Sequence, residues 1–205
     1  MPLLEMNLAP VYILLAVLLY GVAHSMLAAL KTKALARQWF GEHSDRWYRL
    51  FFNLFGFVSF LPVLALPPLL TDQVLYRLPV PWLFLALAGQ VGAVILLIIA
   101  LLQTDTLSFL GLRQLMGVPS LREEKLVISG LYRWVRHPLY TAGLLFIWLT
   151  PVMTVNWLAL YIGVTIYTVV GAIYEERKLV KTFGQAYETY RKRTPMLIPG
   201  FKWGQ

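Results

Sequence analysis

The sequence predicts an all-α integral membrane protein with five transmembrane helices, the fourth and fifth forming a hairpin, followed by an amphipathic cytoplasmic helix. Three observations lead there. Of 205 residues, 59% are hydrophobic and only 14% are charged, with a mean hydropathy of +0.65, far from the composition of a soluble domain. Apolar stretches recur at the ~20-residue length needed to cross a hydrocarbon layer of about 30 Å. Finally, the basic residues collect in a few connections instead of spreading evenly.

The first stretch occupies residues 8–30. The N-terminal ten residues, MPLLEMNLAP, hold Glu5 and no basic residue, so the stretch is expected to be a retained span and not a cleaved leader. Residues 47–66 and 81–102 are the second and third spans. Residues 139–174 are too long for one crossing and short for two. Within them TPVMTVN, residues 150–156, reads as a turn, because Pro151 lacks a donor N–H and Asn156 favours turns and caps. The organisation expected is one membrane-embedded domain over residues 1–205, with three spans in 1–103 and the site in 104–205. No repeat or low-complexity linker interrupts it.

Charge sets the sidedness. Lys31, Lys33, Arg37, Arg46 and Arg49 follow the first span, and Arg113, Arg122, Lys125, Arg133 and Arg136 follow the third. Arg177, Lys178, Lys181, Arg191, Lys192, Arg193 and Lys202 lie in the C-terminal region. Only Arg77 of the 18 basic residues falls elsewhere. The positive-inside bias puts these connections in the cytoplasm and the N-terminus outside. The formal charge of +8 therefore marks topology, and no nucleic-acid partner is expected. With no cysteine and three scattered histidines, His24, His43 and His137, thiolate chemistry, disulfides and a metal centre are not expected either.

Two motifs carry chemistry. In LYRWVRHPLYTAGLL, residues 131–145, Pro138 suits the first position of a helix. His137, as the residue before proline, is pushed to extended geometry and becomes the cap. The amides of Leu139, Tyr140 and Thr141 are then expected to lack intrahelical acceptors, and with Arg136 and His137 they suit a carboxylate or phosphate. The plainer reading is that Arg133 and Arg136 merely mark the end of a span. In YEERKLVKTFGQAYETYRKRTPMLIPG, residues 174–200, Glu176, Leu179, Phe183, Tyr187 and Tyr190 recur at three- and four-residue steps and share one helical face. A carboxylate on that apolar face needs a cation or hydrogen bonds. An internal ion pair of Glu175 or Glu176 with Arg136 or Arg133 would supply this. A zwitterionic ligand with an amino-acid moiety would satisfy both motifs at once. S-adenosylmethionine is one such ligand, and a free amino acid fits equally well.

GLYRWVRHPLYTAG (130–143) followed by EERKLVKTFGQAYETYRKRTPMLIP (175–199) resembles the C-terminal signature of the isoprenylcysteine carboxyl methyltransferase and phospholipid methyltransferase superfamily. HSMLA (24–28), WYRLFFNL (47–54), LGLRQL (110–115) and TPVMT (150–154) are similar to its bacterial methanethiol S-methyltransferase-like branch, which overlaps with membrane proteins associated with nitrite and nitric oxide reduction. The resemblance implies an S-adenosylmethionine-dependent membrane methyltransferase of a bacterial inner membrane, acting among membrane lipid on a small thiol or an apolar, membrane-partitioned or lipid-like acceptor. It implies cofactor contacts at Arg136, His137, Pro138 and Tyr140, an approach formed by Gly130, Leu131 and Tyr132, and a Glu175–Glu176 pair fixing the polar part of the cofactor. Arg193 matches the basic position near the acceptor. Thr194 departs from the pattern, which has valine there.

His24 stands apart as an ionisable residue within the first span, which makes it a second catalytic candidate beside Arg193. Its alternative is a neutral histidine hydrogen-bonded to a neighbouring helix. The rival functions are a non-catalytic accessory to a nitrite or nitric oxide respiratory enzyme and a small transporter. The scarcity of ionisable groups in the spans speaks against the transporter. The Glu pair together with RHPLY speaks against the accessory.

Overall fold

The computed structural model describes residues 7–41, 43–104, 106–116 and 126–201. Glu5, Arg122, Lys125 and Lys202, which entered the reading of topology, lie outside the described residues. In order the elements are α1 (Ala9–Ala28), α2 (Leu30–Phe40), α3 (Ser44–Leu69), β1 (Val74–Arg77), α4 (Trp82–Leu102), α5 (Thr106–Leu110), α6 (Leu112–Leu115), a 3-10 turn (Gly130–Arg133), α7 (Pro138–Trp148), β2 (Val152–Thr154), α8 (Val155–Phe183) and α9 (Gln185–Arg193).

Among the described residues, α1, α3, α4 and α8 are long and apolar enough to cross a membrane. The protein is thus a mostly helical integral membrane protein. The stretch expected to give spans four and five divides unevenly. α7 has 11 residues, about 16 Å at 1.5 Å per residue, whereas α8 has 29, about 43 Å by the same rise. The chain between them forms a strand. β2 pairs antiparallel with β1, with Val74 opposite Thr154, Tyr76 opposite Met153, Arg77 opposite Val152, and an irregularity between Val74 and Tyr76.

The chain divides into two compact units. The first comprises Met1–Arg77, Leu107–Leu121 and Val152–Val164. Every fourth residue of α1, namely Ala9, Ile13, Val17 and Gly21, is buried, as a helix with one packed stripe requires. Ile13 and Val17 meet Val63, Ala159 and Leu160 in the core. Gly163 gives Val17 its place, since a β-carbon there would approach Val17 Cγ1 to 3.1 Å. Such small residues let helices close in where no hydrophobic effect drives them together.

α3 carries Pro62, Pro67 and Pro68 within its helical run, and its C-terminal carbonyls need donors from elsewhere. Asn156 supplies them. Its side-chain amide reaches the carbonyls of Pro67 (3.2 Å), Leu70 (3.4 Å) and Thr71 (3.2 Å). Its backbone N–H donates to Asp72 Oδ1 at 3.0 Å. The residue anticipated as part of a turn is therefore a wholly buried cap for a helix some 85 residues earlier.

The second unit comprises Leu78–Thr106, Arg122–Pro151 and Thr165–Gln205. Ala86, Ala93 and Ala100, spaced by seven, form the buried seam of α4, and Ala142 is the buried alanine of α7. Gly89 leaves room for Leu149, which a β-carbon would approach to 2.7 Å. Gln90 Nε2 donates to the Phe146 carbonyl at 3.0 Å, so one polar bond ties α4 to α7.

Candidate cofactor site

The second unit brings RHPLY and the glutamate pair together. α7 begins at Pro138 with His137 as its cap, as the sequence predicts, but at φ −124°, ψ 66° its backbone does not reach the extended geometry expected of it. The Thr141 amide is an exception to the expectation of free amides, because it donates to the His137 carbonyl at 3.0 Å, the first bond of the helix. Leu139 and Tyr140 precede that first intrahelical acceptor.

The C-terminal segment docks on this helix start. Arg136 N–H donates to the Pro195 carbonyl (2.9 Å) and His137 N–H to the Met196 carbonyl (3.1 Å). Thr141 Oγ1 donates to the Leu197 carbonyl at 2.7 Å. The short run of main-chain bonds fixes residues 195–197 beside 136–141. Thr194, the departure from the family pattern, is buried, and its carbonyl accepts from Arg136.

At the centre lies a buried ion pair. Arg136 Nε is 2.6 Å from Glu176 Oε1, with the two side chains 7% and 9% exposed. Arg136 Nη1 donates to the carbonyls of Arg191 (2.8 Å) and Thr194 (2.7 Å). Of the alternatives the sequence left open for Glu176, the internal ion pair with Arg136 is the one formed. Arg136 thus joins α8, the end of α9 and the closing segment through one planar guanidinium, whose fork of donors suits such bridging.

Glu175 is different. Its side chain is 45% exposed. Tyr140 Oη donates to its Oε2 at 2.8 Å, and His137 Nδ1 lies 3.8 Å from the same oxygen. The other ring nitrogen of His137, Nε2, is 3.3 Å from Glu176 Oε1. The imidazole therefore sits between the two carboxylates, stacked on the Tyr140 ring at 5.3 Å and 14°. One glutamate is locked inside and its neighbour is held at an accessible edge.

The remaining predicted residues divide. Gly130 opens the 3-10 turn at φ +62°, and any β-carbon on it would strike the Gln103 side chain. Gln103 Oε1 accepts from Leu131 N–H at 2.9 Å, so glycine is needed here for both backbone and space. The Tyr132 carbonyl accepts from Tyr190 Oη at 2.6 Å. Tyr190 and Tyr187 were placed on the Glu176 face of one continuous helix, but Gly184 breaks that helix at φ +53°. Both tyrosines are buried nonetheless, on α9. Arg193 is exposed at the end of α9, not gathered with His137 and the glutamates. His24 belongs to the first unit, where its ring lies 5.5 Å from Tyr20 and 4.4 Å from Phe52. Gly56 makes room for it.

Burial and then the negative charge of Glu175 push the Tyr132 phenol up to about 12. Burial also raises Tyr187 and Tyr190 above the usual range. These phenols are hydrogen-bond donors at neutral pH. Tyr187, only 1% exposed, has a buried hydroxyl without a partner among the described residues. Its position was legible in the FGxxYxxY spacing, but its lack of a partner was not. Among the described residues no three metal-ligating side chains gather.

These features define a helical membrane protein with a polar, carboxylate-bearing site between a helix start at Pro138 and a docked C-terminal segment. Residues 87–186 match the model of the phospholipid methyltransferase family, and the resemblance read from RHPLY and the glutamate pair is borne out. The relatives share one name. The chain is 48% identical to the methanethiol S-methyltransferase of Crocosphaera subtropica over 33% of its own length and 27% of that protein. It is 43% identical to the one from Pseudomonas deceptionensis over 35% and 28%. It is 30% identical to methanethiol S-methyltransferase 1 of Bradyrhizobium diazoefficiens over 91% and 65%. The matches thus span from about a quarter to about two thirds of these relatives' lengths. No solved structure matches the chain significantly.

Proposed function

We propose that this protein is an S-adenosylmethionine-dependent membrane methyltransferase whose acceptor is a small thiol or another apolar, membrane-partitioned molecule. The observation that carries the reading is the division of labour in the glutamate pair. Glu176 is neutralised inside by Arg136, whereas Glu175 is accessible and oriented by Tyr140 and His137. A carboxylate held in this way suits an ammonium or a pair of ribose hydroxyls. The early amides of α7 suit a carboxylate. The unpartnered Tyr187 hydroxyl supports a ligand with an acceptor, since an unsatisfied buried hydroxyl costs about 1–3 kcal/mol.

Arg136 enters this reading as the residue that fixes the site and not as the carboxylate's ligand, because its Nε and Nη1 are committed elsewhere. The cofactor supplies an electrophilic methyl group on sulfur. The protein's share is to hold donor and acceptor in line and exclude water, which can account for several kcal/mol of barrier lowering. A thiol with a pKa near that of cysteine, about 8.5, is partly ionised at neutral pH and needs little base catalysis. Relatives named for methanethiol favour a thiol acceptor. Arg193 and His24 stand as acceptor-side candidates. The charge pattern supports a cytoplasmic site and an outside N-terminus, with α7 and α8 as the two arms of a hairpin whose first arm is short.

Titration calorimetry of the purified full chain with S-adenosylmethionine and S-adenosylhomocysteine tests this. Saturable binding is expected, weakened about 10- to 100-fold in Glu175→Gln, the loss of one charge-assisted hydrogen bond. The thermal midpoint of that variant should stay close to the parent's. No binding of either ligand by folded protein overturns the reading and favours a non-catalytic accessory.

A further inference from the structure

The methyl-transfer site makes no use of α2. Its residues Leu35, Ala36, Trp39 and Phe40 share one apolar stripe, which Thr32 continues at the helix start. No residue of α2 is buried. Leu35, Trp39 and Phe40 are 41%, 70% and 60% exposed, and the contact that Phe40 makes is edge-on with Trp47 at 5.8 Å. Lys31 and Lys33 flank the stripe on opposite sides, and α2 contains no acidic residue. Arg37 pairs with Asp45 at 3.6 Å.

The position of α2 in the chain says what covers the stripe. The helix connects α1 to α3, both long and apolar enough to cross a membrane. It cannot continue α1, because Ala29 is extended (φ −70°, ψ 139°). The Thr32 hydroxyl (2.6 Å, to the Met26 carbonyl) and Tyr48 Oη (2.8 Å, to the Leu27 carbonyl) close off the end of α1. A basic amphipathic helix tethered at both ends to the same membrane boundary has its apolar face in the lipid and its lysines at headgroup depth.

We propose that α2 lies in the bilayer interface and recruits anionic phospholipid headgroups through Lys31 and Lys33. Opposite charge favours such headgroups over neutral ones. The surface is independent of the methyltransferase reading.

The chain contains no cysteine, so single cysteines carrying an environment-sensitive fluorophore report one site each. Leu35→Cys, Trp39→Cys, Ala34→Cys and Gln38→Cys would be labelled in the full-length protein, checked for monodispersity, and reconstituted in vesicles of phosphatidylcholine alone or mixed with phosphatidylglycerol. Blue-shifted emission is expected at 35 and 39 and water-like emission at 34 and 38. The shift should grow with phosphatidylglycerol, shrink in 1 M salt, where the screening length falls to about 3 Å, and lose its lipid dependence in the Lys31→Gln/Lys33→Gln background. Equal emission at all four positions overturns the interfacial placement. Identical shifts in the two lipid compositions overturn the choice of anionic headgroups. Disulfide cross-linking between copies of the unlabelled cysteine variants, with the labelled ones emitting alike in detergent and in lipid, would assign the face to a second copy instead.

Discussion

Arg136→Met is expected to lower the unfolding free energy by about 3–5 kcal/mol, the range for removing one partner of a buried ion pair. The substitution leaves the Glu176 carboxylate, 9% exposed, facing His137 without its 2.6 Å partner. It also strips a donor from the carbonyls of Arg191 and Thr194. Thermal and denaturant unfolding of the purified protein in micelles would measure the loss. The double variant Arg136→Met/Glu176→Leu separates the two effects. With no orphaned charge left inside, it should recover at least half of the lost stability. A double variant as unstable as the single one would mean that the main-chain bonds to Arg191 and Thr194, and not the ion pair, hold this region together.

Asn156 should be nearly as sensitive. Asn156→Ala removes the donor that serves three carbonyls at the end of α3, and about 2–4 kcal/mol of stability should go with it through lost hydrogen bonds and a small cavity. Asn156→Asp is the more informative change, because it is almost isosteric yet replaces the donor nitrogen with an oxygen facing those same oxygens. It should destabilise the protein more than alanine does, as read by the same unfolding measurements. An aspartate variant as stable as the alanine one would show that the side-chain nitrogen is not what serves these carbonyls.

These two residues also show what a single sequence reveals. The polar site was legible because its chemistry is concentrated near a proline-marked helix start and an adjacent glutamate pair, where spacing and charge are local signals. Which role each charge takes was not legible. Arg136 could have faced a ligand or Glu176, and only the 40-residue link between them decides it. The common face from Glu176 to Tyr190 presumed an unbroken helix, whereas the left-handed backbone at Gly184 interrupts it. The strand pair went unread because three- and four-residue strands carry too little alternation to stand out between apolar helices. Asn156 sat inside a segment correctly marked as non-helical at its start, but its partners lie far away in the chain. The resemblance added what spacing could not, namely a chemical class to propose for a ligand.

The tyrosines around the docked C-terminal segment give the protein an optical record of its own integrity. Of the 11 tyrosines, Tyr132 loses its proton only near 12 in the folded state, and Tyr187 and Tyr190 are raised as well. An unfolded phenol ionises near 10. The folded state thus favours the neutral form, and the stabilisation this brings is complete below about pH 10 and fades as alkalinity rises toward 12. Followed at the absorbance of tyrosinate, an alkaline titration should therefore rise in two waves. The accessible phenols colour first, and the sheltered ones follow only when the fold around them opens. A preparation that shows a single wave near 10 has lost that shelter before any substrate is added.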